Sequence, residues 1–309
     1  TLAPTLKKDH PLETLVAAYC PLPEEGGNSA CGDVIVLRGG IEAIKNNLKM
    51  VEELVPKEFP SWLWWNGSID ENPKLFDMVA SKTRRLVIDT ALGQPTKCLN
   101  LLEKAITNGQ TVNDLNWLRL RTWRETLAMV FDPPNRRNIL NSLVKVDIDI
   151  EGENQVQGLL LIAWIADRLN WKIEDTVQKE SGSIKIKFTR IDKKIVTFRL
   201  NPLPIGNPSM HPGQVIGLRL ISKGSVSTGK EVCIILASES SECMRLEAGG
   251  MASMDLIEEV VPLQNNSSQM DVARLLSTSR GSTSPLLANA APLAAKLHGM
   301  IKSIENVKN

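Results

Sequence analysis

The apolar residues in the first third of the chain follow two different periods. Residues 12–22, LETLVAAYCPL, alternate weakly and predict an edge strand, and residues 33–39, DVIVLRG, and 84–90, RRLVIDT, are apolar, β-branched runs that predict buried strands. Two segments between those runs carry apolar residues at helical spacing, namely Ile41, Ile44, Leu48, Val51 and Val55, then Leu75, Phe76 and Val79. Strands that alternate with helices over residues 33–90 predict a parallel sheet with helices on its faces.

Three tryptophans lie within four positions of the stretch FPSWLWWNG, residues 59–67. Side chains of a strand point alternately to its two faces, so Trp62 and Trp64 would lie opposite Leu63 and Trp65. A central parallel strand is covered by helices on both faces and requires apolar residues on both, so we expect a central strand here. Asn66 and Gly67 would then lie at the carboxyl edge of the sheet, where open α/β sheets bind ligands and partners.

Residues 112–132, VNDLNWLRLRTWRETLAMVFD, predict one long helix, with Asn113 or Asp114 as its N-cap. Its apolar face would consist of Trp117, Leu120, Trp123, Leu127 and Phe131. Three arginines, Arg119, Arg121 and Arg124, lie off that face, and we expect them to be exposed. The prolines of DPPNRRN, residues 132–138, end the helix and indicate a turn or a domain junction.

The second half of the chain changes to the period of β-strands. Residues 143–151, LVKVDIDIE, alternate cleanly, a helix is predicted at 155–169, and five short strands follow, with RIDKK at 190–194 as a hairpin turn. From residue 265 a Ser-rich linker leads to an amphipathic helical tail. The predicted fold is an α/β N-terminal domain with a small, mainly parallel sheet (1–138), an α+β C-terminal domain with a mainly antiparallel sheet (139–264), and a peripheral linker and helical tail (265–309).

Composition narrows the class of protein. The 309 residues are 42% hydrophobic and 23% charged, which is ordinary for a soluble globular protein, and the formal net charge of +1 argues against a nucleic acid or an anionic membrane as partner. The longest apolar run, GLLLIAWIA at 158–166, is too short to span a bilayer. The first residue is Thr1 and no signal-peptide pattern follows it, as expected of either a processed precursor or a trimmed chain.

The five cysteines show neither a secreted disulfide pattern nor the CxxC spacing of a zinc site, which favours a reducing compartment. Cys233 and Cys243 lie on neighbouring predicted strands, and could approach disulfide distance only if the strand register agrees. Cys20 and Cys31 flank a loop and are the more exposed pair. These four cysteines are the redox candidates.

No motif in the sequence indicates catalysis, a cofactor or a metal. The segment GSVSTGKE, residues 224–231, has the spacing of a P-loop, but Glu231 replaces the metal-binding Ser or Thr and a strand follows instead of a helix. The three histidines are scattered, and no nucleophile elbow or dinucleotide fingerprint is present. An alternative remains open: a sugar-phosphate or nucleotide site at the strand ends, near residues 38–40, 66–67 and 89–90.

Four stretches resemble the glucose-6-phosphate dehydrogenase assembly protein family, OpcA, of cyanobacteria, actinobacteria and plant plastids. They are AYCP at 18–21, FPSWLWWNG leading to RLVIDT, DLNWLRLRTWRE leading to FDPPNRR, and CMRLEAGG at 243–250. The resemblance extends from about residue 15 to 250, whereas the segment after about residue 270 matches no pattern of the family.

The resemblance implies a non-catalytic partner that binds glucose-6-phosphate dehydrogenase, promotes its active oligomer and supports the oxidative pentose phosphate pathway. It also implies a chloroplast stroma or a cyanobacterial cytoplasm as location, and thioredoxin as a possible second partner acting on the cysteines. We expect the contact surface to comprise Trp65, Asn66, Arg119, Arg121 and Arg124. A structural subunit of another plastid complex is a further alternative.

Overall fold

The computed structural model describes residues 1–19, 32–54, 61–178, 182–204, 211–223, 232–238, 243–249, 259–263, 267–278 and 282–308. The strands in these ranges are β1 (Leu2–Pro4), β2 (Glu13–Tyr19), β3 (Gly32–Gly39), β4 (Leu63–Trp64), β5 (Arg85–Ile88), β6 (Thr111–Asp114), β7 (Leu143–Glu151), β8 (Lys172–Gln178), β9 (Ile184–Thr189), β10 (Ile195–Leu203), β11 (Val215–Ser222), β12 (Val232–Ser238), β13 (Cys243–Gly249) and β14 (Glu259–Pro262). The helices are α1 (Ile41–Asn46), α2 (Leu48–Leu54), α3 (Pro73–Ala80), α4 (Pro95–Thr107), α5 (Leu115–Arg119), α6 (Arg121–Phe131), α7 (Pro134–Leu140), α8 (Val156–Arg168), α9 (Ser268–Thr278) and α10 (Pro285–Lys308), with a 3-10 turn at Thr90–Leu92.

The contacts within the chain divide it into two units. The three predicted domains, 1–138, 139–264 and 265–309, remain a prediction. The first unit comprises Thr1–Trp62 and Asn72–Thr83, and the second comprises Leu63–Glu71 and Arg84–Asn309.

The first unit contains a three-stranded sheet in the order β1-β3-β2. β1 pairs with β3 in parallel, and β2 pairs with β3 antiparallel at the edge, as the weak alternation of its sequence predicted. The expectation of one parallel sheet over residues 33–90 is wrong, because β3 pairs with β1 and β2 rather than with β4 or β5. Local periodicity identifies these strands but carries no information about which strand pairs with which.

The second unit contains the small parallel sheet, in the order β4-β5-β6. Leu86, Val87 and Ile88 of the central strand β5 are fully or almost fully buried. The tryptophan stretch was predicted to supply a central strand buried on both faces, and this is wrong. β4 has only two residues and lies at the sheet edge, and the side chains of residues 62–65 are half-buried.

The larger sheet has eight strands, in the order β14-β13-β12-β11-β7-β10-β9-β8. All of its pairs are antiparallel except β7 with β10, which confirms a mainly antiparallel sheet. The predicted strand at 143–151 and the hairpin at 190–194 are confirmed, and α8 forms within the predicted helix. The helix lies close to the sheet because Gly158 has no side chain, where a Cβ would meet Leu200.

The C-terminal helix α10 is part of the core of the second unit, whereas the sequence indicated a peripheral tail. It contacts α8, α4 and β8, and its inward face is made of small and branched apolar residues that are 0–2% exposed: Leu287, Ala290, Ala291, Ala294, Leu297 and Ile301. The sequence did not indicate this role, because the alanines of the helix give a weak amphipathic signal and the segment before the helix is Ser-rich. Within the described part of the chain, no helix is long and apolar enough to cross a membrane.

Candidate functional site

The outward face of α6 is the accessible part of the predicted arginine helix. The predicted helix of residues 112–132 is in fact strand β6 followed by two short helices that meet at Leu120. Its predicted apolar face is confirmed, because all five residues are at most 6% exposed. The face turned to solvent carries Arg121, Glu125, Ala128 and Met129, and Arg121 Nε donates to Glu125 Oε1 at 2.7 Å.

Arg119 is not exposed, which corrects the sequence-based expectation. Its side chain is 7% exposed, and its two terminal nitrogens donate to the carboxylate of Asp89, at 3.0 Å to Oδ1 and 2.5 Å to Oδ2. Arg119 Nε lies 3.9 Å from Asp271 Oδ2 on α9, and that carboxylate is buried too. Arg119 therefore holds β5, α5 and α9 together and does not present its charge to a partner.

Arg124 is half-buried, between the buried Arg119 and the exposed Arg121. Its guanidinium lies 3.9 Å from the centre of the Trp117 ring, and Nη2 donates to the Trp117 carbonyl at 3.4 Å. Burial lowers the pKa of Arg124 to about 10, so the group remains charged at neutral pH. The stacking fixes the side chain along the helix surface.

Trp65 and Asn66 lie directly after β4, at the carboxyl edge of the parallel sheet. The backbone N–H of Trp65 donates to the Val87 carbonyl at 2.9 Å, and its indole Nε1 donates to the Ser68 carbonyl at 3.2 Å. Trp65 is therefore half-buried and oriented, whereas Asn66 is exposed. Gly67 has a φ of 146°, which only glycine adopts without strain.

A network of buried polar groups fills the same edge of the sheet. Asp114 N-caps α5 and accepts four hydrogen bonds, from the Thr90 N–H (3.0 Å) and hydroxyl (2.8 Å) and from the N–H groups of Asn116 (3.2 Å) and Trp117 (3.3 Å). Burial, with the charge of Asp89 as the next cause, raises the pKa of Asp114 to about 6. The sequence predicted Asn113 or Asp114 as the cap, and the structure shows that it is Asp114.

Gln157 of α8 connects this network to the large sheet. Its Nε2 donates to Asn116 Oδ1 at 2.8 Å, and its Oε1 accepts from the Val215 N–H at 2.6 Å. Asn116, Gln157 and Asp271 were not predicted from the sequence, although residues 66–67 and 89–90, at the ends of β4 and β5, were predicted to lie at such an edge. Asp114, Thr90, Asn116 and Gln157 thus form one chain of hydrogen bonds from this edge to β11.

The remaining candidates of the sequence lie elsewhere. Arg38 and Gly39 belong to the first unit, where the Gly40 N–H donates to the His10 carbonyl at 2.8 Å. The P-loop-like segment 224–231, Cys20 and Cys31 lie outside the described residues. Among the described residues, no group of three or more His, Cys, Asp or Glu side chains could hold a metal ion.

The strand register separates Cys233 from Cys243. Cys233 lies opposite Gly249, and Cys243 lies opposite Pro262, while Met244 lies opposite Ser238. Cys243 and Gly249, the residue opposite Cys233, are thus six residues apart on β13, about 20 Å at ~3.3 Å per residue, whereas a disulfide needs Cα atoms about 5.5–6 Å apart. The register rules out this disulfide. Cys98 is buried, and burial raises the pKa of its thiol to about 12.

Comparison with known proteins shows the family. Residues 1–104 match the model of the glucose-6-phosphate dehydrogenase subunit N-terminal domain, and residues 110–291 match that of the C-terminal domain.

Solved structures resemble the chain only distantly. One is a 3-ketoreductase from Actinomadura kijaniata, with a TM-score of 0.48 and 7% identity over 85% of this chain and 86% of that one. Similarity at that level carries no inference about activity.

Curated cyanobacterial relatives are named OxPP cycle protein OpcA. The relative from Synechococcus elongatus is 32% identical over 87% of this chain, and one from a Synechocystis species is 30% identical over 89%. The matches cover 61% and 58% of those relatives, so the chain spans about three fifths of their length. Because both family models and these relatives agree, the chain belongs to the glucose-6-phosphate dehydrogenase assembly protein family, OpcA.

Proposed function

We propose that this protein is a non-catalytic assembly factor and allosteric activator, which binds glucose-6-phosphate dehydrogenase and promotes its active oligomer. The observation that carries the proposal is the match of both family domains, over residues 1–104 and 110–291. The activity would support the oxidative pentose phosphate pathway, in agreement with the name of the cyanobacterial relatives. Its location would be a cyanobacterial cytoplasm or a chloroplast stroma.

Activation of this kind requires no chemistry in the activator. A partner that binds the active conformation of the enzyme more tightly than the inactive one shifts the population by the ratio of the two affinities. The sheet edge is consistent with such a role. Asp89 binds Arg119, and Thr90 binds Asp114 and Asn116, which supports a structural use of the groups that the enzyme alternative would need.

The proposed contact surface is the outward face of α6 together with Asn66 and the half-buried Trp65. Its accessible charges are Arg121 and Glu125, whose side chains are 55% and 62% exposed, and Met129 adds an apolar contact at 48% exposure. Exposed arginine and large apolar side chains are residue types that dominate protein interfaces. Arg119 and Arg124 would support this surface by fixing α5 and Trp117.

The test measures glucose-6-phosphate dehydrogenase activity against substrate concentration, with and without the purified protein, and the size of the enzyme oligomer by light scattering. We expect a lower KM and a larger oligomer. Replacement Arg121→Glu reverses an exposed charge and should weaken activation at least about tenfold, as for a hot-spot residue. The matched control is Lys296→Glu, an equally simple reversal at an exposed position of α10.

Two results would contradict the proposal at different levels. If the wild-type protein changes neither the KM nor the oligomer, the activator role is wrong. If it does both and Arg121→Glu behaves like Lys296→Glu, the role stands and the α6 surface is wrong. Thioredoxin control through the cysteines stays a prediction, and a comparison of activation by the oxidised and the reduced protein would test it.

A further inference from the structure

The strand β2 forms the open edge of the sheet in the first unit. Among the strands that the structure describes, it pairs with β3 alone, through seven consecutive pairs from Glu13 opposite Arg38 to Tyr19 opposite Gly32, without a bulge. The other side of such a strand presents a row of backbone N–H and C=O groups that can pair with another strand. The sheet can therefore grow at this edge.

The side chains of β2 do not protect this edge. All six residues from Glu13 to Ala18 are exposed, and the neighbours Leu15 and Val16, which point to opposite faces, are each 64% exposed. The stretch from Thr14 to Tyr19 contains no charge and no proline. Proteins that keep an edge strand free usually protect it with lysines, prolines, bulges or a short length, and β2 has none of these features.

We infer that β2 pairs with the β2 strand of a second copy of this chain, in antiparallel orientation about a two-fold axis at Val16. In that register Val16 lies opposite its symmetry mate, Leu15 opposite Ala17, and Thr14 opposite Ala18. Thr14 and Leu15 thus face alanines, and the central valines form a pair that is favourable across strands. Glu13 lies opposite Tyr19, so no like charges oppose one another.

The same pairing covers the apolar surface beside the edge. Val34 of β3 lies opposite Ala17 and is 46% exposed, so Leu15, Ala17 and Val34 form one apolar patch that the second copy would shield. The sequence of the strand also argues against a partner selected by charge, because Thr14 to Tyr19 carries none. A two-fold contact uses the same patch on both copies, and the self-complementary register of β2 meets that requirement.

The first test compares oligomeric state by sedimentation of the full chain over a range of concentrations. We expect a reversible dimer. The replacement Val16→Lys places two lysines directly opposite each other across the axis, and should raise the dimer dissociation constant at least about tenfold. Val260→Lys is the matched control: it puts the same charge on an equally exposed valine of another edge strand, β14 of the eight-stranded sheet, and should leave the dimer intact.

The second test identifies the axis itself. In the Val16→Cys variant the two new thiols lie on directly opposed residues, whose Cα atoms are about 4.5–5.5 Å apart in an antiparallel pair, within disulfide reach. Oxidation should convert this variant to a covalent dimer. Val34→Cys and the wild-type chain, treated in the same way, should yield far less.

Three outcomes would overturn the inference. They are a wild-type chain that stays monomeric at every concentration, a dimer that Val16→Lys leaves intact, and equal cross-linking of Val16→Cys and Val34→Cys. Circular dichroism of each variant shows whether the fold is retained. Binding to glucose-6-phosphate dehydrogenase does not enter either test, so the result is independent of the proposed function.

Discussion

Arg119 and Arg121 are two residues apart in the sequence and lie in opposite environments. Arg119 forms a buried, two-bond ion pair with Asp89, whereas Arg121 forms an exposed pair with Glu125. Removal of one partner from a buried pair leaves an uncompensated charge, so we expect Arg119→Ala to lower the free energy of unfolding by about 3–5 kcal/mol. Arg121→Ala should change it by no more than about 0.5 kcal/mol.

Urea unfolding of the two variants beside the wild type measures this difference. The paired variant Asp89→Asn with Arg119→Met also removes the charge of Asp89, and should recover part of the loss, because only the buried carboxylate of Asp271 then lacks the arginine. Equal midpoints for Arg119→Ala and Arg121→Ala would show that the buried pair does not stabilise the second unit.

Asp114 gives the stability of the protein a specific pH dependence. Burial raises its pKa from the ordinary value of 3.8 to about 6, so the folded chain holds this proton more tightly than the unfolded chain. The stabilisation from protonation is complete below about pH 3.8 and is lost as the pH rises through about 6. Over this interval Asp114 lowers the free energy of unfolding of the wild type, and the Asp114→Asn variant lacks this contribution. The free energy of unfolding of the wild type minus that of the variant should therefore decrease as the pH rises from about 3.8 to about 6.

The measurement is urea unfolding of both proteins at closely spaced pH values. All other carboxyl groups are shared, so the difference between the two curves isolates Asp114. The variant also loses acceptors for the Thr90 hydroxyl and the Trp117 N–H, which shifts its curve by a constant amount but adds no slope. Two parallel curves would contradict the raised pKa.

At the scale of helices and strands, the sequence predicted single elements well and their neighbours poorly. The strand at Leu143–Glu151, the helix α8 and the apolar face around Trp123 were predicted, because each depends on a local period. The burial of Arg119 was not, since its partners Asp89 and Asp271 are 30 and 152 residues away. The strand at Leu63–Trp64 was predicted, but its position at the sheet edge was not, for a related reason: apolar residues on both faces do not reveal the position of a strand in its sheet.

The helix α10 provides a test at this scale. Leu297 is fully buried on the face that contacts α8 and α4, and it is absent from every predicted core segment. We expect Leu297→Ala to lower the free energy of unfolding by about 2–5 kcal/mol, as for other buried leucines. The control Lys296→Ala alters the neighbouring, exposed residue and should have little effect. If both variants lose little free energy of unfolding, α10 is not part of the core and is a peripheral helix, as its sequence indicated.

At the scale of the whole molecule, activation by binding has a thermodynamic consequence that a catalytic role would not have. If this protein raises the affinity of glucose-6-phosphate dehydrogenase for its substrate by a given factor, the substrate must raise the affinity of the enzyme for this protein by the same factor. The equality holds whatever surface mediates the contact, because it follows from the closed cycle of binding steps. Couplings of this kind typically amount to about 5–150-fold.

Two titrations test the equality on the intact complex. One measures the dissociation constant of the enzyme for substrate with and without saturating protein, and the other measures the dissociation constant of the protein for the enzyme with and without saturating substrate. Dissociation constants are required, because the relation does not extend to kcat. A change in the first that is absent from the second would mean that the protein does more than bind, for example by altering the substrate or the enzyme covalently. Equal factors would show that the protein acts through reversible binding alone, and the Arg121→Glu variant should then weaken the binding of this protein while leaving the two factors equal.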